Sequence, residues 1–152
     1  MANGRMYSVA LDHISVTNDS DQDILEFVNG SAAAMVLHSI TLTSAYSTDE
    51  RVRLRILRRT TTGSGGSAAT ENPLDGLNTV AANCAVSYLV TTPGTGGAVL
   101  DAAEWPQIHP WQWFPSPACQ ILVPVSGRLA LHLGTAVGTT RSWSVTTVWE
   151  EL

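Results

Sequence analysis

Histidine, cysteine, serine and carboxylate side chains could carry catalysis in this sequence, and their spacing is considered first. The four histidines are isolated, and none has a second histidine two residues away. A metal site of the cupin type needs such an H-x-H pair, together with a glutamate and a third histidine. A serine nucleophile would need a G-x-S-x-G elbow, and the Gly-Ser run 63–67 would need a lysine to cradle phosphate. The chain contains no such elbow and no lysine, so none of these chemistries is predicted.

The remaining reactive groups also fail to form a catalytic pattern. Cys84 and Cys119 are too few and too far apart for a zinc knuckle or a disulfide framework. We expect both to be buried thiols of a protein made in a reducing cytosol. A glycosidase can use any two carboxylates, but the sequence singles out no pair. We predict a half-buried, hydrogen-bonded His38, and no catalytic residue, metal or cofactor.

Arginine side chains, in contrast, are placed for contact with a partner. Five of the eight arginines lie in residues 51–59, which lead into a Gly-Ser-rich run. Apolar residues at 52, 54 and 56 alternate with arginines, the period of a strand with one buried and one wet face. The arginine row consists of Arg51, Arg53 and Arg55, and Arg58 is a further interface candidate. The carboxylates expected to face the row, within the chain or from a second subunit, are Asp21, Asp23, Glu26, Asp49 and Glu50.

A segment rich in tryptophan and proline is the second candidate contact region. Residues 104–117, EWPQIHPWQWFPSP, hold three of the five tryptophans, namely Trp105, Trp111 and Trp113. The prolines exclude a helix and interrupt a central strand, so a stiff loop or a sheet edge is expected. Three interpretations stay open. The loop packs over an open end of its own domain, anchors a protein interface, or forms a platform on which sugar rings stack.

Length and composition indicate a single weakly charged domain. A chain of 152 residues fits one domain, 1–152. Only 14% of residues are charged, against roughly 25% in globular proteins, which suits a protein packed against other copies. The net charge of −5 argues against general nucleic-acid binding. The sequence shows neither a signal-peptide pattern nor a run near the ~18 apolar residues of a membrane span, so we expect synthesis in the cytoplasm and no membrane partner.

Short alternating segments separated by turn residues predict strands along the chain. The first strand changes phase between Leu11 and Ile14, which predicts a bulge. Residues 17–21 and the pair Asn29-Gly30 are predicted turns. In the next strand, Val36, His38, Ile40 and Leu42 are expected to share one phase. Besides the strand of the arginine row, the predicted strands are 6–16, 24–28, 33–46, 80–92, 119–125, 128–133 and 142–149, of which the last two are expected to pair as a hairpin.

This pattern predicts an all-β protein. About eight short strands without an amphipathic helix indicate a jelly-roll-like antiparallel β-sandwich with long loops. The two long loops are the Gly/Ser-rich residues 60–82 and the Trp/Pro-rich residues 104–117. A loop as long as 60–82 is usually functional or mobile, and we expect it to act as a contacting arm between subunits.

Three segments resemble a group of small structural proteins of tailed bacteriophages. They are YSVALDHISVTNDSDQDILEF (7–27), LHSITLTS (37–44) and RVRLRILRRTTTGSGGS (51–67). The likeness covers residues 7–67 and the general length of the chain, and it does not extend to residues 104–117. It implies a virion structural protein, since small jelly-roll proteins in such phages often decorate or cement the capsid, frequently as trimers.

These observations lead to one expected function and one alternative. The chain is expected to be a capsid decoration protein that self-associates, as a trimer, and bridges subunits of the major capsid protein or of another virion protein. Its location would then be the virion, after synthesis in the host cytoplasm. The alternative is a phage tail, adsorption or carbohydrate-binding module that uses the three tryptophans to hold a glycan. An enzyme is not expected.

Overall fold

The computed structural model of the protein describes residues 4–17, 21–135 and 137–152. The predicted turn at 17–21 includes residues 18–20, which lie outside these ranges. The described chain forms twelve strands and a 3-10 helix of three residues, Pro117–Cys119. The strands are β1 (Arg5–Val16), β2 (Gln22–Asn29), β3 (Met35–Ser44), β4 (Arg51–Arg59), β5 (Ser67–Ala68), β6 (Asn72–Pro73), β7 (Cys84–Val90), β8 (Gly96–Pro106), β9 (Trp111–Trp113), β10 (Ile121–Val123), β11 (Arg128–Leu133) and β12 (Arg141–Glu151).

Two antiparallel sheets pack against each other, and their strand orders define a jelly roll. One sheet has the order β10-β3-β12-β1-β6, with β9 also paired to β3. The other has the order β5-β7-β2-β11-β4-β8. The set β1, β12, β3 and β9/β10 thus faces the set β2, β11, β4 and β8, and apart from β4 and β8 successive strands of these sets alternate between sheets. This is the double Greek key of a jelly roll, and the predicted all-β sandwich is confirmed.

The predicted hairpin of the last two strands is wrong. β11 pairs with β2 and β4 in one sheet, whereas β12 pairs with β1 and β3 in the other. Alternation correctly predicted which apolar residues of β11 and β12 are buried. These residues face one core from opposite sheets, so the two strands are not neighbours. The predicted turn at Asn29-Gly30 lies between β2 and β3, which belong to opposite sheets, so it does not join a hairpin. The Asn29 side chain donates hydrogen bonds to the carbonyls of Ala33, Val123 and Pro124.

Aromatic rings from both sheets meet in the core. The inward residues of β12, from Trp143 to Trp149, are at most 1% exposed, as their alternation predicted. Trp149 stacks on Tyr7 of β1 with 5.9 Å between ring centroids. Phe27, from the facing sheet, contacts Trp149 edge-on at 6.1 Å. Such ring pairs contribute about 0.5–1.5 kcal/mol beyond their buried area, so this cluster ties the two sheets together.

The predicted bulge in the first strand is confirmed. The pairing of β1 with β12 shifts between Leu11 and Ile14. His13 lies inside this shift with a φ of 52°, a left-handed conformation that is uncommon outside glycine. The extra residue turns Ile14 back toward the core, where it is 8% exposed.

A second bulge makes the predicted phase of Val36 wrong. The pairing of β3 with β12 shifts opposite Val148 and Trp149, so the two halves of β3 bury residues of opposite parity. Met35 and Leu37 are buried in the first half, while Val36 is only partly buried. Ile40 and Leu42 are buried in the second half, as predicted.

Parts of residues 60–82 fold back onto the domain, and their contact with a second subunit stays a prediction. β5 pairs with β7, and β6 pairs with β1, so the segment touches both sheets. The N–H of Gly63 donates to the Glu26 carboxylate on β2 at 2.8 Å. One face of β2 packs in the core, and residues 60–82 form a cover over the other, so both faces are buried. Burial raises the pKa of Glu26 above its ordinary value.

The longest strand missed by the sequence pattern is β8. It pairs along β4 and forms one edge of its sheet. Residues 96–102 of β8 are all exposed, so the apolar alternation that marks a half-buried strand is lacking. The edge position explains both the exposure and the missed prediction.

Candidate interaction surface

The arginine row lies on the outer face of β4, as predicted. Val52, Leu54 and Ile56 are each 1% exposed and point into the core. Arg51 and Arg53 are exposed and Arg55 is partly exposed on the other face. At ~3.3 Å rise per residue, alternate arginines are about 6–7 Å apart.

The row has little compensating negative charge. Glu104, opposite Arg53 in the neighbouring strand β8, is the one carboxylate that forms an ion pair with it among the described residues. The two groups are 3.9 Å apart, and their side chains are 47% and 61% exposed. Within the described chain, the side chains of Arg51 and Arg55 make neither a hydrogen bond nor an ion pair. Two of the three cations are therefore free for a partner.

Two of the carboxylates expected to face the row are bonded to another arginine, Arg59, or to the cover beside it. Asp23 is fully buried and accepts from the Arg59 guanidinium and from His132 Nδ1, the latter at 2.9 Å. Arg59 also donates to the carbonyl of Gly94 at 3.0 Å. Glu26 accepts the backbone N–H described above. These hydrogen bonds attach the start of residues 60–82 and the turn after β7 to the outer face of β2 and β4.

Glu50 is likewise bonded elsewhere. It accepts from the guanidinium of Arg141 and from the Gly138 N–H, and these hydrogen bonds hold the pKa of Glu50 below its ordinary value. The Arg141 guanidinium lies 3.7 Å from the centre of the Tyr46 ring. Asp21 contacts His132 Nε2 at 3.6 Å. Within the described chain, neither these four carboxylates nor Asp49 forms an ion pair with the row, and pairing with a second subunit stays a prediction.

Arg58 does not belong to the outer face. It lies opposite Leu129, a fully buried residue, so its side chain points toward the space between the sheets. Its guanidinium donates to the Leu122 carbonyl of β10 at 3.1 Å. Arg58 thus connects the two sheets at their open edge. It lies on the same face of β4 as Ile56, because the two residues are two positions apart in one strand.

Trp105 is a core residue, which removes it from the predicted interface. It is 1% exposed and lies edge-on to Trp143, with 4.9 Å between ring centroids. Its indole N–H donates to the His109 carbonyl at 2.5 Å. Trp111 and Trp113 lie in β9 beside β3 and are partly buried against the core. The three tryptophans therefore pack on their own sandwich, which favours the first of the three interpretations for these side chains.

Exposed apolar side chains gather where β8 and β10 leave the sandwich open. Among the described residues, six of the ten large apolar residues with exposed side chains fall within residues 96–125, and two of these six, Leu100 and Leu122, line one groove. An open groove of about 780 Å³ runs between the two sheet edges and is lined by Leu100, Leu122 and the exposed Cys119. We name the two exposed apolar side chains that line this groove, Leu100 of β8 and Leu122 of β10, the apolar edge.

The histidines and cysteines lie apart from one another. His38 is 26% exposed and bonds Glu150 at 3.3 Å and Gln120 at 2.8 Å, which confirms its predicted environment. No group of three or more potential ligands in the described ranges is arranged to hold a metal. Cys84 is buried as expected, and burial raises its pKa. The prediction for Cys119 is wrong, because that residue ends the 3-10 helix Pro117–Cys119 on the surface and is exposed.

Comparison of the chain with protein-family models, with curated proteins and with solved structures finds no match. In the part of the chain that the structure describes, no helix has the length and apolar character needed to cross a membrane.

Proposed function

We propose that this protein is a virion structural protein of a tailed bacteriophage, and that it decorates and stabilises the assembled capsid. The observation that carries the proposal is a jelly roll with an arginine row, of which two members are unpaired in the described chain, and an apolar edge at the adjacent open side of the sandwich. The resemblance of residues 7–67 to small phage structural proteins supports the same function.

The mechanism is one of contact. Large exposed apolar patches on a folded domain mark interaction surfaces, and the apolar edge is where copies of the chain would meet as a trimer. The arginine row would then face the capsid. Arginine suits this role because its planar guanidinium binds carboxylates through two parallel hydrogen bonds.

The glycan-binding alternative loses its main support. Its platform required three exposed tryptophans, and Trp105 is buried against Trp143. Trp111 and Trp113 remain, each partly covered by its own sandwich.

The test is the number of copies on purified particles. Decoration requires tens to hundreds of copies per virion, whereas a tail-tip module would be present in a few. We also expect the isolated protein to sediment as a trimer, and Leu122→Glu to weaken that assembly without unfolding the domain. Leu122 is 50% exposed, and the control Leu77→Glu changes a residue that is 91% exposed outside the apolar edge. A stable monomer at micromolar concentration, or absence from particles, would contradict the proposal.

A further inference from the structure

The outer face of β4 has a charge pattern that selects a particular kind of partner. Its first and third arginines, Arg51 and Arg55, are unpaired in the described chain, while Arg53 in the middle is shared with Glu104. We propose that this face binds an extended segment of a partner protein that carries acidic side chains four residues apart. The inference rests on the proposed function in one respect: the partner would be a capsid protein.

The spacing argues for an extended peptide. In a strand, side chains two residues apart lie on one face about 6–7 Å from each other, so Arg51 and Arg55 are about 13 Å apart. A peptide strand lying along β4 has the same repeat. Its residues i and i+4 can therefore meet both unpaired guanidinium groups at once.

Glu104 sets the residue in between. A carboxylate at i+2 of the peptide would meet the carboxylate of Glu104 as well as Arg53, and like charges in close contact destabilise a complex. The preferred segment thus has acidic residues at i and i+4, a neutral or basic residue at i+2, and any residue at i+1 and i+3. The cover made by 60–82 lies over β2, whereas the loop after β11 borders the row, where the Arg53 N–H donates to Thr135 Oγ1 at 2.8 Å.

A nucleic acid fits this face less well. Its backbone carries negative charge without interruption, so one phosphate would lie against Glu104. The net charge of −5 would also repel a polyanion over the rest of the surface. Binding of single-stranded DNA is therefore an outcome that the test must distinguish.

The experiment titrates the whole protein with synthetic peptides at low salt, followed by amide chemical shifts. The first peptide has nine residues, mostly Thr and Val, with Glu at its third and seventh positions and Gln at its fifth. The second has the same composition, with Glu at its third and sixth positions, which places the two carboxylates on opposite faces. The expected result is that shifts on β4 and β8 saturate for the first peptide at a concentration several-fold below that for the second.

Substitutions in the protein test which charged side chains make the contact, because each should change the affinity for the first peptide in a stated direction. Arg51→Gln and Arg55→Gln should each weaken binding of the first peptide about twofold to fivefold, the range for exposed ion pairs. Glu104→Gln should strengthen binding, because it removes the repulsive carboxylate and frees Arg53. Arg5→Gln, an exposed arginine on the other sheet, is the control and should change nothing. Equal affinity for the two peptides, weaker binding by Glu104→Gln, or tighter binding of single-stranded DNA through the same arginines would overturn the proposal.

Particle binding separates this inference from the proposed function. If Arg51→Gln/Arg55→Gln binds virions like the parent, the inference is wrong while decoration stands. If the parent selects the first peptide but is absent from virions, the acidic-segment site stands and decoration is wrong.

Discussion

Arg53→Ala and Leu54→Ala change neighbouring residues on opposite faces of β4, and we expect very different losses of stability. Leu54 is 1% exposed, so its truncation leaves a core cavity that costs roughly 2–5 kcal/mol. The Arg53 side chain is 47% exposed, and its ion pair with Glu104 spans 3.9 Å. Because exposed pairs of this kind contribute about 0–1 kcal/mol, Arg53→Ala should leave the domain folded.

The difference is large enough to measure by thermal unfolding. At about 2.1 cal/mol/K per residue, a chain of 152 residues has an unfolding entropy of roughly 320 cal/mol/K. The expected fall in Tm is therefore about 6–16 °C for Leu54→Ala and less than about 3 °C for Arg53→Ala. Both variants and the parent are heated in a calorimeter at one protein concentration, because association shifts Tm. Equal falls for the two variants would refute the assignment of the two faces of β4.

Three further predictions concern the cover, the thiols and a tight turn. Since burial raises the pKa of Glu26, its charge disfavours the folded state above that pKa. The parent should therefore gain free energy of unfolding from Glu26 as pH falls toward 4.5, and Glu26→Gln should lose this gain. Urea unfolding at pH 7 and pH 4.5 measures it, and the same change in free energy of unfolding for parent and variant would contradict the prediction. A thiol reagent should modify Cys119 in the native protein and Cys84 only after unfolding, and rapid modification of both would contradict the burial of the second. Gly94→Ala places a Cβ 1.9 Å from a backbone oxygen and should cost about 1–3 kcal/mol, whereas Gly76→Ala, with nothing within 4 Å, should be neutral; matching urea midpoints would contradict this.

Alternation of apolar residues carried most of the fold prediction, because it reports which face of a strand leaves water. It placed Val52, Leu54 and Ile56 in the core and detected the bulge at His13. It does not report which strand lies alongside. That choice is made by contacts between distant segments, which explains why β11 and β12 were wrongly paired with each other.

The candidate surface was predicted in part. The arginine row was visible because its residues alternate with a core face. The contact of Arg58 with the carbonyl of Leu122 was not predictable, because Leu122 is far away in sequence, and the place of Arg58 at an interface stays a prediction. Trp105 was misassigned because a tryptophan beside prolines has the same local pattern at an interface and in a core. The apolar edge had no sequence signal, since exposed apolar residues become a patch only when β8 and β10 come together.

The position of β12 between β1 and β3 has a consequence for synthesis of the protein. Of the described strands, β12 comes last in chain order and joins β1 to β3, so these two strands cannot be linked until residues 141–151 have left the ribosome. β3 can pair with β9 and β10 earlier, but the centre of this sheet must wait for β12, and contacts so far apart in sequence form slowly. A chain interrupted before Arg141 would keep two unpaired strand edges and the uncovered rings of Tyr7 and Phe27, a substrate for aggregation or proteolysis.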